Sequence, residues 1–164
     1  MICDGDLKIE RVTQMRTLPL RVLVADDHRL FRQGLISLMN TRRDLVDVIG
    51  EAETGREAIA LAGRCRPDVV LMDIKMPDVD GLRAALAIRQ AFPSVEVIIL
   101  TASELNEHVY EAVRLGAAGY LLKSLDAVEL FDLLQAVAGD EAVLTRAVAA
   151  RLLLFNLCHD ALSR

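Results

Sequence analysis

No apolar run in this sequence approaches the roughly 18 residues that a membrane-spanning helix needs. Positive charge is not in surplus either. Lys and Arg number 19 against 24 Asp and Glu, a net charge of −5, which argues against a protein that coats nucleic acid. Cysteine is sparse and odd in number: Cys3, Cys65 and Cys158 are far apart, with no CxxC and no Cys/His ligand spacing. That argues against a disulfide framework or a zinc site and suits a reducing, cytoplasmic compartment. The first residues, MICDGDLKIERV, place acids where a secretory signal would place bases and then an apolar stretch. Internal repeats and low-complexity segments are absent.

What is present is apolar content and pattern. At 53% hydrophobic and 26% charged over 164 residues, the chain can bury a core. Residues 1–20 and 139–164 are each charge-neutral, so the whole excess of acid falls between them. That middle segment carries five short apolar runs: Val22–Ala25, Val46–Ile49, Val69–Met72, Val95–Leu100 and Gly119–Leu122. Each has strand length, and near-continuous apolarity suits strands covered on both faces of a parallel sheet.

Helix-period segments lie between and after the runs. Leu30, Phe31, Leu35, Leu38 and Met39 form a stripe in the first. Thr54 with Glu57 reads as a capping box ahead of Ala58, Ile59, Leu61 and Ala62. Asp80 is placed to cap a helix carrying Leu82, Ala85, Leu86 and Ile88. Asn106 is placed to cap a helix through Leu115, with Gly116 as its stop. Asp126 and Glu129 form another box, ahead of Leu130, Leu133, Leu134 and Val137. The order βαβαβαβαβα, with right-handed crossovers, gives an α/β fold: an open, doubly wound five-stranded parallel sheet with five flanking helices.

Ligands of such sheets bind at the carboxyl ends of the strands. There the sequence places Asp26 and Asp27, Asp73, Thr101 and Lys123. A lone Asp after a strand is ordinarily a turn former or a helix cap. Four strands delivering complementary groups to one edge is a different matter. Clustered carboxylates repel unless a cation joins them, and Mg²⁺ suits two or three carboxylates plus waters. Phosphoryl transfer follows, with an Asp as nucleophile, the metal neutralising charge, and Lys and Thr holding the remaining oxygens.

The segments VLVADDH (22–28), VVLMDIKMPDVDGL (69–82), VIILTAS (97–103) and GAAGYLLK (116–123) resemble the receiver domain of a bacterial two-component response regulator. The resemblance implies a flavodoxin-like strand order 2-1-3-4-5 and a receiver domain over 20–138. It implies Asp73 as phosphoacceptor, Asp27 as a direct Mg²⁺ ligand with Asp26 beside it, and the backbone carbonyl of Lys75 as a further ligand. It also implies Thr101 as switch hydroxyl, Lys123 as its paired amine, and Tyr120 as an aromatic switch. Pro77 and Gly81 fit the loop and helix start after the phosphoacceptor. His28 is expected to be a surface residue at a helix start, and Cys65 part of the core. Many receivers have Pro after the lysine; here Ser124 follows, so a trans Lys123–Ser124 bond is expected, a non-proline cis bond costing ~3 kcal/mol.

DDHRLFRQGL and the tail GDEAVLTRAVAARLLLF resemble the NarL/LuxR-type subfamily. Residues 1–19 are then an N-terminal extension and 139–164 a linker, helical over 142–155, towards a C-terminal helix-turn-helix DNA-binding domain. DNA contact is expected only through that domain, absent from these 164 residues. The implied partner is a sensor histidine kinase, and no membrane is implied. The apolar cluster Leu152, Leu153, Leu154, Phe155 and Leu157 needs cover, on the receiver or on a second copy, and a homodimer is expected.

Three other functions compete. A phosphatase of the haloacid-dehalogenase type would need an acid two residues after Asp73, where Lys75 stands, so no enzyme is expected. A degenerate receiver would lack site groups, yet all are filled. A flavodoxin-like cofactor binder would have a first loop of Ser, Thr and Gly rather than Asp-Asp-His-Arg.

Overall fold

A computed structural model of the chain describes residues 16–102 and 106–139, apart from the side chains of 106 and 107. Residues 1–15 of the expected 1–19 extension, residues 103–105, and residues 140–164 of the expected 139–164 linker with its apolar cluster lie outside the described residues. The elements run β1 (Leu20–Ala25), α1 (Arg29–Met39), β2 (Val46–Ala52), α2 (Gly55–Cys65), β3 (Val69–Asp73), α3 (Gly81–Ala91), β4 (Glu96–Thr101), α4 (Asn106–Arg114), β5 (Gly119–Leu122) and α5 (Ala127–Ala138). One turn of 3₁₀ helix (Asn40–Arg42) follows α1. All four strand pairings are parallel, in the order β2-β1-β3-β4-β5. The doubly wound, flavodoxin-like α/β fold is therefore as expected. None of the described helices is long and apolar enough to cross a membrane.

Strand alternation divides the core in two. Val22 and Val24, Val69 and Leu71, Ile98 and Leu100, and Leu121 pack with Leu35 and Met39 of α1 and with Leu130, Leu133 and Leu134 of α5. Leu23, Val70, Met72, Val97, Ile99 and Tyr120 pack on the other face with α2, α3 and α4, through small residues such as Ala58, Ala62, Ala84, Ala85 and Ala112.

The helix starts follow local chemistry. Thr54 accepts from the Glu57 N–H at 3.1 Å, and Asp80 from the Arg83 N–H at 2.9 Å. The expected box at Thr54 is displaced on one arm, because the Glu57 carboxylate accepts from Glu53 N–H instead. The box at Asp126 is complete, with Glu129 N–H donating to Asp126 and Asp126 N–H to Glu129. Asn106 is the first residue of α4 rather than its cap. Gly116 stops that helix at φ +83°, a conformation open to glycine.

The α1 stripe differs from expectation. Leu30 is 89% exposed, while Arg32, Leu35 and Met39 are buried. A charged side chain thus stands at a core position. Among the described residues the only cis bond is Leu18–Pro19, so Lys123–Ser124 is trans, as expected.

Candidate functional site

Strand register assembles the site. Ala25 pairs with Met72 and Asp73 with Leu100, so Asp26 and Asp73 end adjacent strands at the same level. Thr101 pairs with Leu122, and the Lys123 N–H donates to the Thr101 carbonyl at 2.7 Å. The parity of Val24, Leu71 and Leu121 carries Asp26, Asp73 and Lys123 towards one side of the sheet. There the Lys123 ammonium lies 4.7 Å from the centre of the Phe31 ring on α1. Thr101 and Tyr120 share the parity of the opposite face, and both are buried.

Lys123 Nζ lies 2.7 Å from Asp26 Oδ2 and 3.2 Å from Asp73 Oδ2. One ammonium therefore faces two buried carboxylates. Beyond this ammonium neither Oδ2 has a hydrogen-bond partner. Asp27 sits at the rim with a side chain 36% exposed. The carboxylates of Asp26, Asp27 and Asp73 and the ring of His28 offer ligand atoms all within 4.8 Å of one another. Two buried oxygens short of partners, beside a third carboxylate open to solvent, fit a hard divalent cation that keeps several waters.

The electrostatics agree. Burial, then the neighbouring Asp26 charge, pushes the Asp73 carboxyl up to about 6, against the opposing pull of Lys123. For Lys123 burial disfavours the charge, but Asp26 and Asp73 together outweigh it and leave its pKa above the ordinary value.

The loop after β3 brings α3 close. Gly81 N–H donates to the Ile74 carbonyl at 2.7 Å. A Cβ on Gly81 would run into the Asp73 carbonyl, so only glycine permits that approach. Lys75 is exposed in this loop. With Asp27, Met76, Pro77, Arg83 and His108 it lines an open cleft of about 750 Å³ leading to the carboxylates.

Two residues of the site were not foreseen as such. His28 is exposed at the start of α1, as expected, yet its Nδ1 reaches into the carboxylate cluster. Arg32 donates to the Asp26 carbonyl at 2.6 Å, to Glu51 at 2.8 Å and to Glu53 at 2.7 Å. It ties the acidic loop to the end of β2. The readable signal was a charged residue on the Leu35–Met39 stripe, with two acids uncommitted after the second apolar run.

Comparison with known proteins now places this arrangement. The response regulator receiver domain family matches residues 22–135, and the chain belongs to that family. It is 42% identical over 134 residues to the transcriptional regulatory protein YxjL of Bacillus subtilis, covering 82% of this chain and 61% of that one. It thus spans about three-fifths of the length of such relatives. Among solved structures, the receiver domain of the response regulator NarL from Mycobacterium tuberculosis is 37% identical, with a TM-score of 0.69 over 73% of this chain and 95% of that one. A chain of the CheX–CheY–BeF3–Mg²⁺ complex from Borrelia burgdorferi is 25% identical, with a TM-score of 0.68 over 73% of this chain and 89% of that one. Further neighbours are regulators of the LuxR family.

Proposed function

We propose that the chain is the phosphorylation-controlled part of a cytoplasmic transcription regulator, with Asp73 accepting a phosphoryl group from a sensor histidine kinase. The observation that carries this reading is the buried pairing of Asp26 and Asp73 against the single ammonium of Lys123 at the carboxyl edge of the sheet. A carboxyl at about 6 is mostly ionised near neutral pH, so an Asp73 oxygen is available as nucleophile. It attacks phosphorus of the kinase phosphohistidine. The N–P bond breaks, and its electron pair returns to the imidazole nitrogen, leaving an acyl phosphate on Asp73. Lys123 is the cation at hand to follow the new negative charge.

Asp26, Asp27, Asp73 and the backbone carbonyl of Lys75 would hold Mg²⁺, which when bound neutralises charge on phosphoryl oxygens. The acidic cluster supports that assignment, as does the Mg²⁺ named in the Borrelia complex. Thr101 and Tyr120 act as the switch. Both are buried on adjacent strands, Thr101 at the end of β4 and Tyr120 two residues short of that level on β5, with the parity of the face packed by α2, α3 and α4, so a turn of the Thr101 hydroxyl towards the phosphoryl group would free space there. The chain acts as a switch rather than a turnover enzyme, because Lys75 stands where a catalytic acid would be needed. Residues 20–138 form the receiver, 1–19 an extension and 139–164 a linker to a helix-turn-helix domain, through which DNA would be bound.

The output is a homodimer strengthened by phosphorylation, with α5 in the interface. Sedimentation velocity with and without beryllofluoride tests it. Wild type should shift to dimer on beryllofluoride, and Thr101→Ala should bind beryllofluoride without shifting. A wild type that stays monomeric in both states, or a Thr101→Ala variant that responds normally, overturns the switch.

A further inference from the structure

Arg32 stands on the same buried face of α1 as Leu35 and Met39. An apolar side chain would suit that face. What the arginine adds is direction, because its guanidinium reaches the Asp26 carbonyl, Glu51 and Glu53 at once, at 2.6, 2.8 and 2.7 Å. The two glutamates lie at the rim and offset the buried positive charge. Asp26 is held at three points. Its N–H donates to the Ala52 carbonyl at 3.0 Å, its Oδ1 accepts from the His28 N–H at 2.7 Å, and its carbonyl accepts from Arg32. The first bond continues the β1–β2 pairing and the second is local to the turn. The third fixes the plane of the peptide that joins Asp26 to Asp27, and a planar peptide carries the Asp27 Cα with it. Asp27 is at the exposed rim, so its place beside Asp26 and Asp73 follows from that peptide.

We propose that Arg32 is a positioning residue for phosphoryl uptake: through the Asp26 carbonyl it sets the spacing of the Asp26 and Asp27 carboxylates and so the affinity of the acidic cluster for Mg²⁺. The inference rests on the reading of that cluster as a cation site. Arg32 touches neither the ion nor the phosphoryl group. Its effect therefore falls on metal affinity and not on the step at Asp73. Charge alone predicts the opposite sign, since removing a cation beside an acidic cluster favours a bound cation. Lysine keeps the charge but cannot reproduce a fork of three directed bonds.

The test uses the full chain as wild type, Arg32→Met and Arg32→Lys. Mg²⁺ is titrated by NMR, and labelling by acetyl phosphate is followed by intact mass across a range of Mg²⁺ concentrations. The Mg²⁺ dissociation constant should rise about tenfold in Arg32→Met and at least about threefold in Arg32→Lys, while the labelling rate at saturating Mg²⁺ stays within about threefold of wild type. In EDTA, exchange of the His28 amide should quicken at least about tenfold in Arg32→Met, because the loop opens locally. A folded Arg32→Met that binds Mg²⁺ as tightly as wild type or tighter, or quickened exchange confined to the strand amides of the core, overturns the proposal and leaves Arg32 a contributor to stability alone. Should Arg32→Met fail to fold, Arg32→Lys decides, and wild-type Mg²⁺ affinity in that variant overturns the proposal. A wild type that binds no Mg²⁺ overturns the functional reading instead, and the His28 amide still decides whether Arg32 holds the loop.

Discussion

Replacing Asp73 by asparagine should make the metal-free protein more stable near neutral pH, although it removes an ion pair. The Asp73 carboxyl titrates at 3.8 in its ordinary state and at about 6 in the fold, raised by burial and by Asp26. The folded state therefore holds a proton that the unfolded state has already released. Stability falls as pH rises from about 4 to about 6 and is flat above, because the native state binds more protons in that window. Two units at about 1.4 kcal/mol each amount to about 3 kcal/mol, an upper bound on what ionised Asp73 costs the fold. Asparagine keeps the shape and carries no charge, and Lys123 retains Asp26 at 2.7 Å. Urea unfolding in EDTA at about pH 7.5 should show Asp73→Asn more stable than wild type by about 1–3 kcal/mol, the gap closing towards about pH 4. A variant less stable than wild type at neutral pH, or a gap that widens on acidification, would refute the reasoning.

Two further perturbations bear on the frame around the site. Arg32→Met should cost about 2 kcal/mol, because the Asp26 carbonyl, Glu51 and Glu53 lose a buried charged donor. Arg32→Lys should restore less than half, since one ammonium cannot reproduce a fork of three directed bonds; chemical denaturation reads both, and full rescue by lysine would contradict the geometry. Mg²⁺ at about ten times its dissociation constant should stabilise wild type by about 1.4 kcal/mol in thermal unfolding. Asp27→Ala should lose more of that gain than Asp26→Ala, and equal losses would count against Asp27 as the direct ligand.

The strands were legible in the sequence because burial on both faces writes each as an unbroken apolar run. Gly119–Leu122 matches its run to the residue, while β2 continues three residues past Ile49 to Ala52. Asp80 and Asp126 were legible because a cap acts within one turn of the chain. The edge carrying Asp26, Asp73, Thr101 and Lys123 was legible because parallel strands end together. What escaped depends on tertiary neighbours. Periodicity puts Leu30 on the α1 stripe, but the buried face of α1 runs through Arg32, Leu35 and Met39 and leaves Leu30 in solvent. Periodicity cannot show that Arg32 finds two glutamates from another strand. Nor can it give the ring orientation that turns His28 into the carboxylates.

Intact-mass spectrometry after incubation with acetyl phosphate and Mg²⁺ tests the central claim most directly. Wild type should gain the mass of one phosphoryl group, held as an acyl phosphate that hydroxylamine releases. The gain should require Mg²⁺ and be absent in Asp73→Asn, whose amide cannot attack phosphorus. An adduct of undiminished amount in Asp73→Asn, or wild type that gains no mass with Mg²⁺ present, would contradict the assignment of Asp73 as phosphoacceptor.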